Sequence, residues 1–197
     1  DVFRKIPVKR TVQPYASNER TEFIDNLDEL PENAILVVDR GYWGYEVFYH
    51  IIEKSTHDIV ARMPSISCFK EVDEFSLSDK NEDIVTINPP ASFLQKFNNG
   101  ESKIETPTPI TLRLIRYTPV NGTEEIILAT TLLDSEKYSS KGIADLYWDR
   151  WQVELFYRDE KTYVSLVSEV FDSAVSHIRH DLFWIPYTSI VLQISLP

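Results

Sequence analysis

The hydrophobic positions change texture along the chain. Ala34-Ile35-Leu36-Val37-Val38 is a continuous apolar run rich in β-branched residues, the pattern of a strand buried on both faces in a mixed or parallel sheet. Asp39 ends it. Val47, Phe48, Ile51 and Ile52 then recur at helical spacing and predict a helix over Tyr45 to Lys54, with a second short strand at Asp58 to Met63. Strand, helix, strand is an α/β arrangement. Upstream, Val2, Ile6, Val8 and Val12 alternate in part and predict an incoming strand that ends at Gln13-Pro14. Ser17 or Asn18 next caps a helix bearing Phe23, Ile24, Leu27 and Leu30, closed by Pro31.

From Pro64 to Leu133 the pattern becomes short strand-like runs broken by turn residues such as Asn88-Pro89-Pro90, Asn98-Asn99-Gly100 and Pro107 to Pro109. Its best hairpin pairs Ile110 to Tyr117 with Glu124 to Thr131 across Asn121-Gly122. This segment reads as a mostly β insertion. After it, Ser139 and Ser140 cap a long helix predicted from about Lys141 to about Val170, and a further helix covers Ser173 to Ile185 before Pro186.

A chain of 197 residues with 43% hydrophobic content can bury a substantial core, so one domain with an elaboration, or one and a half domains, is expected. The formal charge of −11 argues against a general nucleic-acid-binding surface, because phosphate binding is driven by clustered Lys and Arg. The single cysteine, Cys68, excludes an intramolecular disulfide and fits a reducing compartment. The most apolar stretch, Leu182 to Leu196, is too short for a membrane span and is broken by Pro186. Five glycines and no Gly-rich phosphate loop leave nucleotide-cofactor binding unsupported. His177 and His180 lack a third ligand nearby and read as capping or surface residues, while His50 and His57 are isolated.

Two carboxylates draw attention. Asp39 ends a buried strand, at the sheet edge where α/β folds place ligands, and is followed by Arg40-Gly41, which lets the backbone turn. It reads either as a metal ligand or as a turn or cap residue. Glu154 lies within the long helix. At about 100° per residue, Tyr147, Arg150, Glu154 and Lys161 fall within an arc of roughly 60°, a single polar face. That face is either a solvated surface with a Glu-Arg pair or a site offering phenol, guanidinium and ammonium to phosphates and a carboxylate to a metal. The neighbouring Trp148, Trp151, Phe156 and Tyr157 would be odd on a fully solvated helix.

The stretch Asp145-Leu146-Tyr147-Trp148-Asp149-Arg150-Trp151-Gln152-Val153-Glu154, continuing to Lys161, resembles the Tyr-Arg-Glu-Lys signature of bacterial insertion-sequence transposases of the DDE class, at every interval. Ile35 to Gly44, centred on Asp39-Arg40-Gly41-Tyr42-Trp43, resembles that family's second-aspartate motif, and Leu128 to Asp134 resembles the strand that returns from its β insertion. The resemblance spans roughly residues 20 to 165.

It implies an α/β, RNase H-like mixed sheet with flanking helices, interrupted by the mostly β insertion: core at 1–63 and 134–197, insertion at 64–133. It also implies metal-dependent DNA cleavage and strand transfer at element ends. Asp39 and Glu154 would be the second and third carboxylates of a two-metal Mg²⁺ or Mn²⁺ site, and Tyr147, Arg150 and Lys161 the contacts to DNA phosphates. Trp43 and Trp151 would stack on bases or pack in the core. The implied partner is the double-stranded DNA of element ends, with a homodimer in a synaptic complex left open and neither membrane nor nucleotide cofactor expected. The implied location is the bacterial cytoplasm, at the nucleoid when DNA is bound.

Asp1, Asp25 and Asp28 do not sit in the context of the family's first catalytic Asp. The expectation is therefore an N-terminally truncated fragment, inactive for want of that carboxylate, whose parent is the enzyme. The competing expectation is a non-catalytic remnant acting as a protein-interaction or regulatory module.

Overall fold

The computed structural model describes residues 18–64, 69–119 and 124–150. The strand read in residues 1–16, Ser17, Cys68, the Asn121-Gly122 turn and everything beyond Arg150 lie outside the described residues. That last part includes Trp151, Glu154, Lys161, His177, His180, most of the long helix and the helix read before Pro186.

Five strands, β1 (Ile35–Val38), β2 (Asp58–Arg62), β3 (Glu82–Ile87), β4 (Ile110–Tyr117) and β5 (Ile126–Thr130), make one sheet in the order β1-β2-β5-β4-β3. β1 and β2 run parallel with Val38 opposite Ala61. A parallel pair needs a crossover, and helix α2 (Tyr45–Lys54) supplies it with the bounds the sequence predicts. The other pairings are antiparallel, and in the predicted hairpin Tyr117 lies opposite Ile126. The strands of the 64–133 segment are thus hydrogen-bonded, through β5, to β2. A mixed sheet flanked by helices is the α/β architecture expected, consistent with an RNase H-like fold.

The two-residue period of each strand sorts its side chains onto two faces. Leu36, Val38, Ile59, Ala61, Leu112, Leu114 and Ala129 point to one face, where they meet Phe23, Phe48, Phe69, Phe75 and Phe93 from the helices α1 (Glu19–Asp25), α2, α3 (Lys70–Ser76) and α4 (Ala91–Asn98). Ile35, Val37, Val60, Ile115, Ile126 and Leu128 point to the other, against Ile143, Ala144 and Tyr147 of α5 (Ser140–Asp149). All four residues of β1 are buried, as its unbroken apolar run predicts.

Two local readings differ. The helix expected through Leu30 stops at Asp25, because the Asn26 side chain donates to the Glu22 carbonyl at 2.8 Å, and a 3₁₀ turn carries Leu27–Glu29. Such side-chain bonding to the backbone competes with helix continuation. The segment read as mostly β also carries α3 and α4. Each is at most eight residues long and buries one or two side chains, too few repeats for a helical period to stand out. Pro90, read as a turn residue, is the N-cap of α4.

One polar group is built into the α5 face. Arg113, in β4 and 0% exposed, spends all five of its N–H donors. It grips the Glu82 carboxylate of β3 through Nε at 2.8 Å and Nη2 at 2.9 Å. Nη1 donates to the carbonyls of Tyr138 at 2.6 Å and Leu132 at 3.3 Å, and Nη2 also reaches Ser140 Oγ at 3.1 Å. Ser140 Oγ in turn donates to Glu82, and Ser139 caps α5 by accepting from Gly142 N–H at 3.1 Å. Arg113 thereby sets where α5 begins relative to the sheet. The hydrogen bond from Arg113 holds Glu82 below its ordinary carboxylate range, against a smaller opposing effect of burial.

Arg113→Met is expected to cost about 3 kcal/mol in urea unfolding, since it strands the Tyr138 and Leu132 carbonyls and the Glu82 carboxylate. Because the folded-state pKa of Glu82 is depressed, its contribution is present above the unfolded value of about 4.3 and is lost as pH falls through the folded one. Wild type and Glu82→Gln should therefore differ most near neutrality and converge as unfolding is repeated at progressively lower pH.

Candidate functional site

Asp39 leaves β1 and turns at once. Its Oδ1 accepts from Gly41 N–H at 2.6 Å, and its carbonyl accepts from Tyr42 N–H at 3.2 Å. A Cβ at position 41 would lie 2.9 Å from that Oδ1, so a larger residue there would displace the Asp39 carboxylate from this position. α1 pins the turn from the other side: Arg20 Nε donates to the Gly41 carbonyl at 2.7 Å, with its guanidinium 6.0 Å from the Trp43 ring centroid. Trp43 is also held edge-on by Phe69, with centroids 5.6 Å apart. Tyr42 packs edge-on against Phe23 and donates to Glu19 at 3.3 Å. Asp39 is therefore a turn residue, and its carboxylate is nonetheless exposed at the sheet edge.

Strand register says what shares that edge. The parallel register pairs Val38 with Ala61, so β1 and β2 end at one edge, and Asp39 and Arg62, which follow those positions, both act on the Tyr147 phenol. α5 brings Tyr147 and Arg150 to the same place. Ile143, Ala144 and Tyr147 form its inward face, and Tyr147 is 2% exposed. The polar face read in the sequence therefore starts as the continuation of the buried face of α5, so for Tyr147 the solvated reading does not hold. Trp148, one residue on, is the exposed aromatic at 46%.

The charges converge on the Tyr147 phenol. Burial raises it above the ordinary phenolic value; Arg150, which also hydrogen-bonds it, and Arg62 pull it down, and Asp39 pushes it up. The Arg150 guanidinium carbon lies 5.4 Å from the Tyr147 ring centroid. Asp39 and Arg150, more than a hundred positions apart, thus act on one hydroxyl. Glu154 and Lys161 lie outside the described residues. Arg62 escaped the sequence reading; the available signal was its place at the end of the second parallel strand, in step with Val60.

Among the described residues no group of three or more His, Cys, Asp or Glu side chains is placed to hold a metal. Asp39 supplies one hard oxygen donor of the type Mg²⁺ and Mn²⁺ take, at a position open to solvent. His57 is structural: its Nε2 meets the Leu27 carbonyl at 3.0 Å while Nδ1 accepts from Ala34 N–H at 3.3 Å. Among the described residues no helix is long and apolar enough to cross a membrane.

An exposed carboxylate and two guanidinium groups thus act on one buried phenol where the parallel strands of a mixed α/β sheet end. The family model described as Transposase DDE domain matches residues 3–166. The chain belongs to that family, whose members act in DNA transposition and recombination, bind DNA and in general use divalent metal ions. Comparisons with curated proteins and with solved structures gave no match.

Burial also raises the Tyr42 phenol, aided by Glu19. The Tyr42 phenol should remain protonated at pH 10, where an ordinary tyrosine is about half ionised. Tyr42→Phe is therefore expected to leave the tyrosinate absorbance at pH 10 unchanged, and Tyr147→Phe to lower it by less than the loss of an ordinary tyrosine would. A raised folded-state pKa contributes stability below the unfolded value that is lost as pH rises past it. The Tyr147→Phe variant should accordingly lose less stability than wild type between pH 9 and pH 11, pH values that bracket the ordinary phenol midpoint of about 10.

Proposed function

We propose that this edge is the metal-dependent DNA-cutting and strand-transfer centre of a transposase acting on the double-stranded ends of an insertion sequence. In this reading Asp39 and Glu154 hold Mg²⁺ or Mn²⁺, and Arg150 and Lys161 contact DNA phosphates. The buried Tyr147 phenol, hydrogen-bonded to Arg150, orients that guanidinium and contributes to the phosphate site through it. The metals, when bound, supply activation of water and then of a 3′-hydroxyl, and stabilise both the attacking and the leaving oxygen. Residues 1–63 and 134–197 are read as the catalytic core, and 64–133 as an insertion within it.

The observation that carries this reading is the meeting of Asp39 with Tyr147 and Arg150 at one sheet edge. The sequence spacing, if read as helix past the described residues, groups Glu154 with Tyr147 and Arg150, the arrangement a shared metal needs. The exposed Asp39 carboxylate fits a hard cation that must also meet substrate.

Calorimetric titration of the 197-residue chain with Mn²⁺ tests it. Site-specific binding should weaken at least about tenfold in Asp39→Ala and in Glu154→Gln, ligand losses being no milder than the loss of a supporting partner. An isotherm indifferent to Asp39→Ala would instead favour a non-catalytic interaction module.

A further inference from the structure

The arginines of this sheet divide by how their donors are used. Arg113 has all five committed. Arg116 is committed as well: Nε donates to the Lys80 carbonyl at 2.9 Å, Nη2 to the carbonyls of Phe75 at 2.8 Å and Ser78 at 2.7 Å, and Nη1 to Glu125. Both are structural clamps. Arg62 differs: its described ion pair is with Glu124, at 4.0 Å, where the side chains are 27% and 85% exposed. At that separation the guanidinium attracts the carboxylate without hydrogen-bonding it, and an exposed pair of this kind holds weakly. Among the described residues, then, the planar Arg62 guanidinium has only this long ion pair, and it acts on the Tyr147 phenol at the edge that carries Asp39 and Arg150.

We propose that Arg62 is a further ligand for a DNA backbone phosphate at this edge, and that Glu124 is its resting partner, a carboxylate that the incoming phosphate displaces. The inference rests on the reading of the edge as a DNA site. The geometry of a guanidinium fork suits two phosphate oxygens as it suits two carboxylate oxygens. Glu124 sits at the turn end of the β4–β5 hairpin, two residues before Ile126, and Arg62 pairs in register with Leu128 of β5. Glu124 thus sits where it can shield the cation until a more strongly charged partner arrives.

The test is the salt dependence of binding of a short DNA duplex by the full chain, read by fluorescence anisotropy. Arg62→Gln should lower the slope of log affinity against log salt by about 0.9, the value for one phosphate contact, while Arg62→Lys retains it. Glu124→Gln should tighten binding roughly two- to fivefold, the range of an exposed ion pair, and that gain should vanish in the Arg62→Gln/Glu124→Gln double variant. An unchanged slope in Arg62→Gln, or a Glu124→Gln gain that persists in the double variant, would overturn the proposal. If the slope falls in Arg150→Gln but not in Arg62→Gln, this inference fails and the DNA-edge reading stands. If the wild-type chain shows no salt-dependent binding, both fail.

Discussion

The Arg113 guanidinium, buried in the face of the sheet that α5 covers, is the point from which the rest of this architecture is aligned. A cation there is tolerated only because every donor is satisfied and a carboxylate lies against it. Those partners come from three places in the chain: Glu82 in β3, the Leu132 and Tyr138 carbonyls in the connection after β5, and Ser140 at the start of α5. An apolar side chain at 113 would fill the space and still leave the beginning of α5 unanchored. With the beginning anchored, the pitch of the helix carries Tyr147 about two turns along, to the edge where β1 and β2 end.

Asp39 reaches that edge by an independent route. The β1 backbone delivers it, the Gly41 N–H and the absence of a Cβ at 41 fix its carboxylate, and α1 braces the turn through Arg20 and Tyr42. The two elements therefore converge with separate polar anchors while sharing one apolar cluster, Ile35 and Val37 of β1 against Ile143, Ala144 and Tyr147 of α5. Neighbours locked by packing are the form of support a preorganised site needs. The local charge also departs from the total. A chain of net charge −11 places Arg62 and Arg150 around Asp39, so overall acidity says little about the field at this edge.

Much of the fold was legible because it is written in short-range pattern. The run Ala34 to Val38 announced a strand buried on both faces, the helical recurrence from Val47 to Ile52 announced the crossover, and the apolar runs around Asn121-Gly122 announced the hairpin. α3 and α4 were missed because one or two buried side chains do not make a period, and the early end of α1 because a single asparagine amide outcompeted continuation. Asp39, Tyr147 and Arg150 were legible as a motif, while the burial of Tyr147 was not. Helical spacing groups side chains on one face without saying whether that face meets water or a sheet.

The sequence by itself determined the strands and the crossover helix, the family, and the residues that could bear chemistry, since periodicity, turn chemistry and motif spacing all operate within a few positions of one another. Only the tertiary structure decided what each charged group does. Arg62, Arg113 and Arg116 are alike as letters, yet two are bound into the scaffold by carbonyls and carboxylates brought from 9 to 41 positions away, and the third has, among the described residues, only a long ion pair to Glu124. A guanidinium is defined by its partners, and those partners are chosen by strand register and helix packing, which no local stretch of sequence contains.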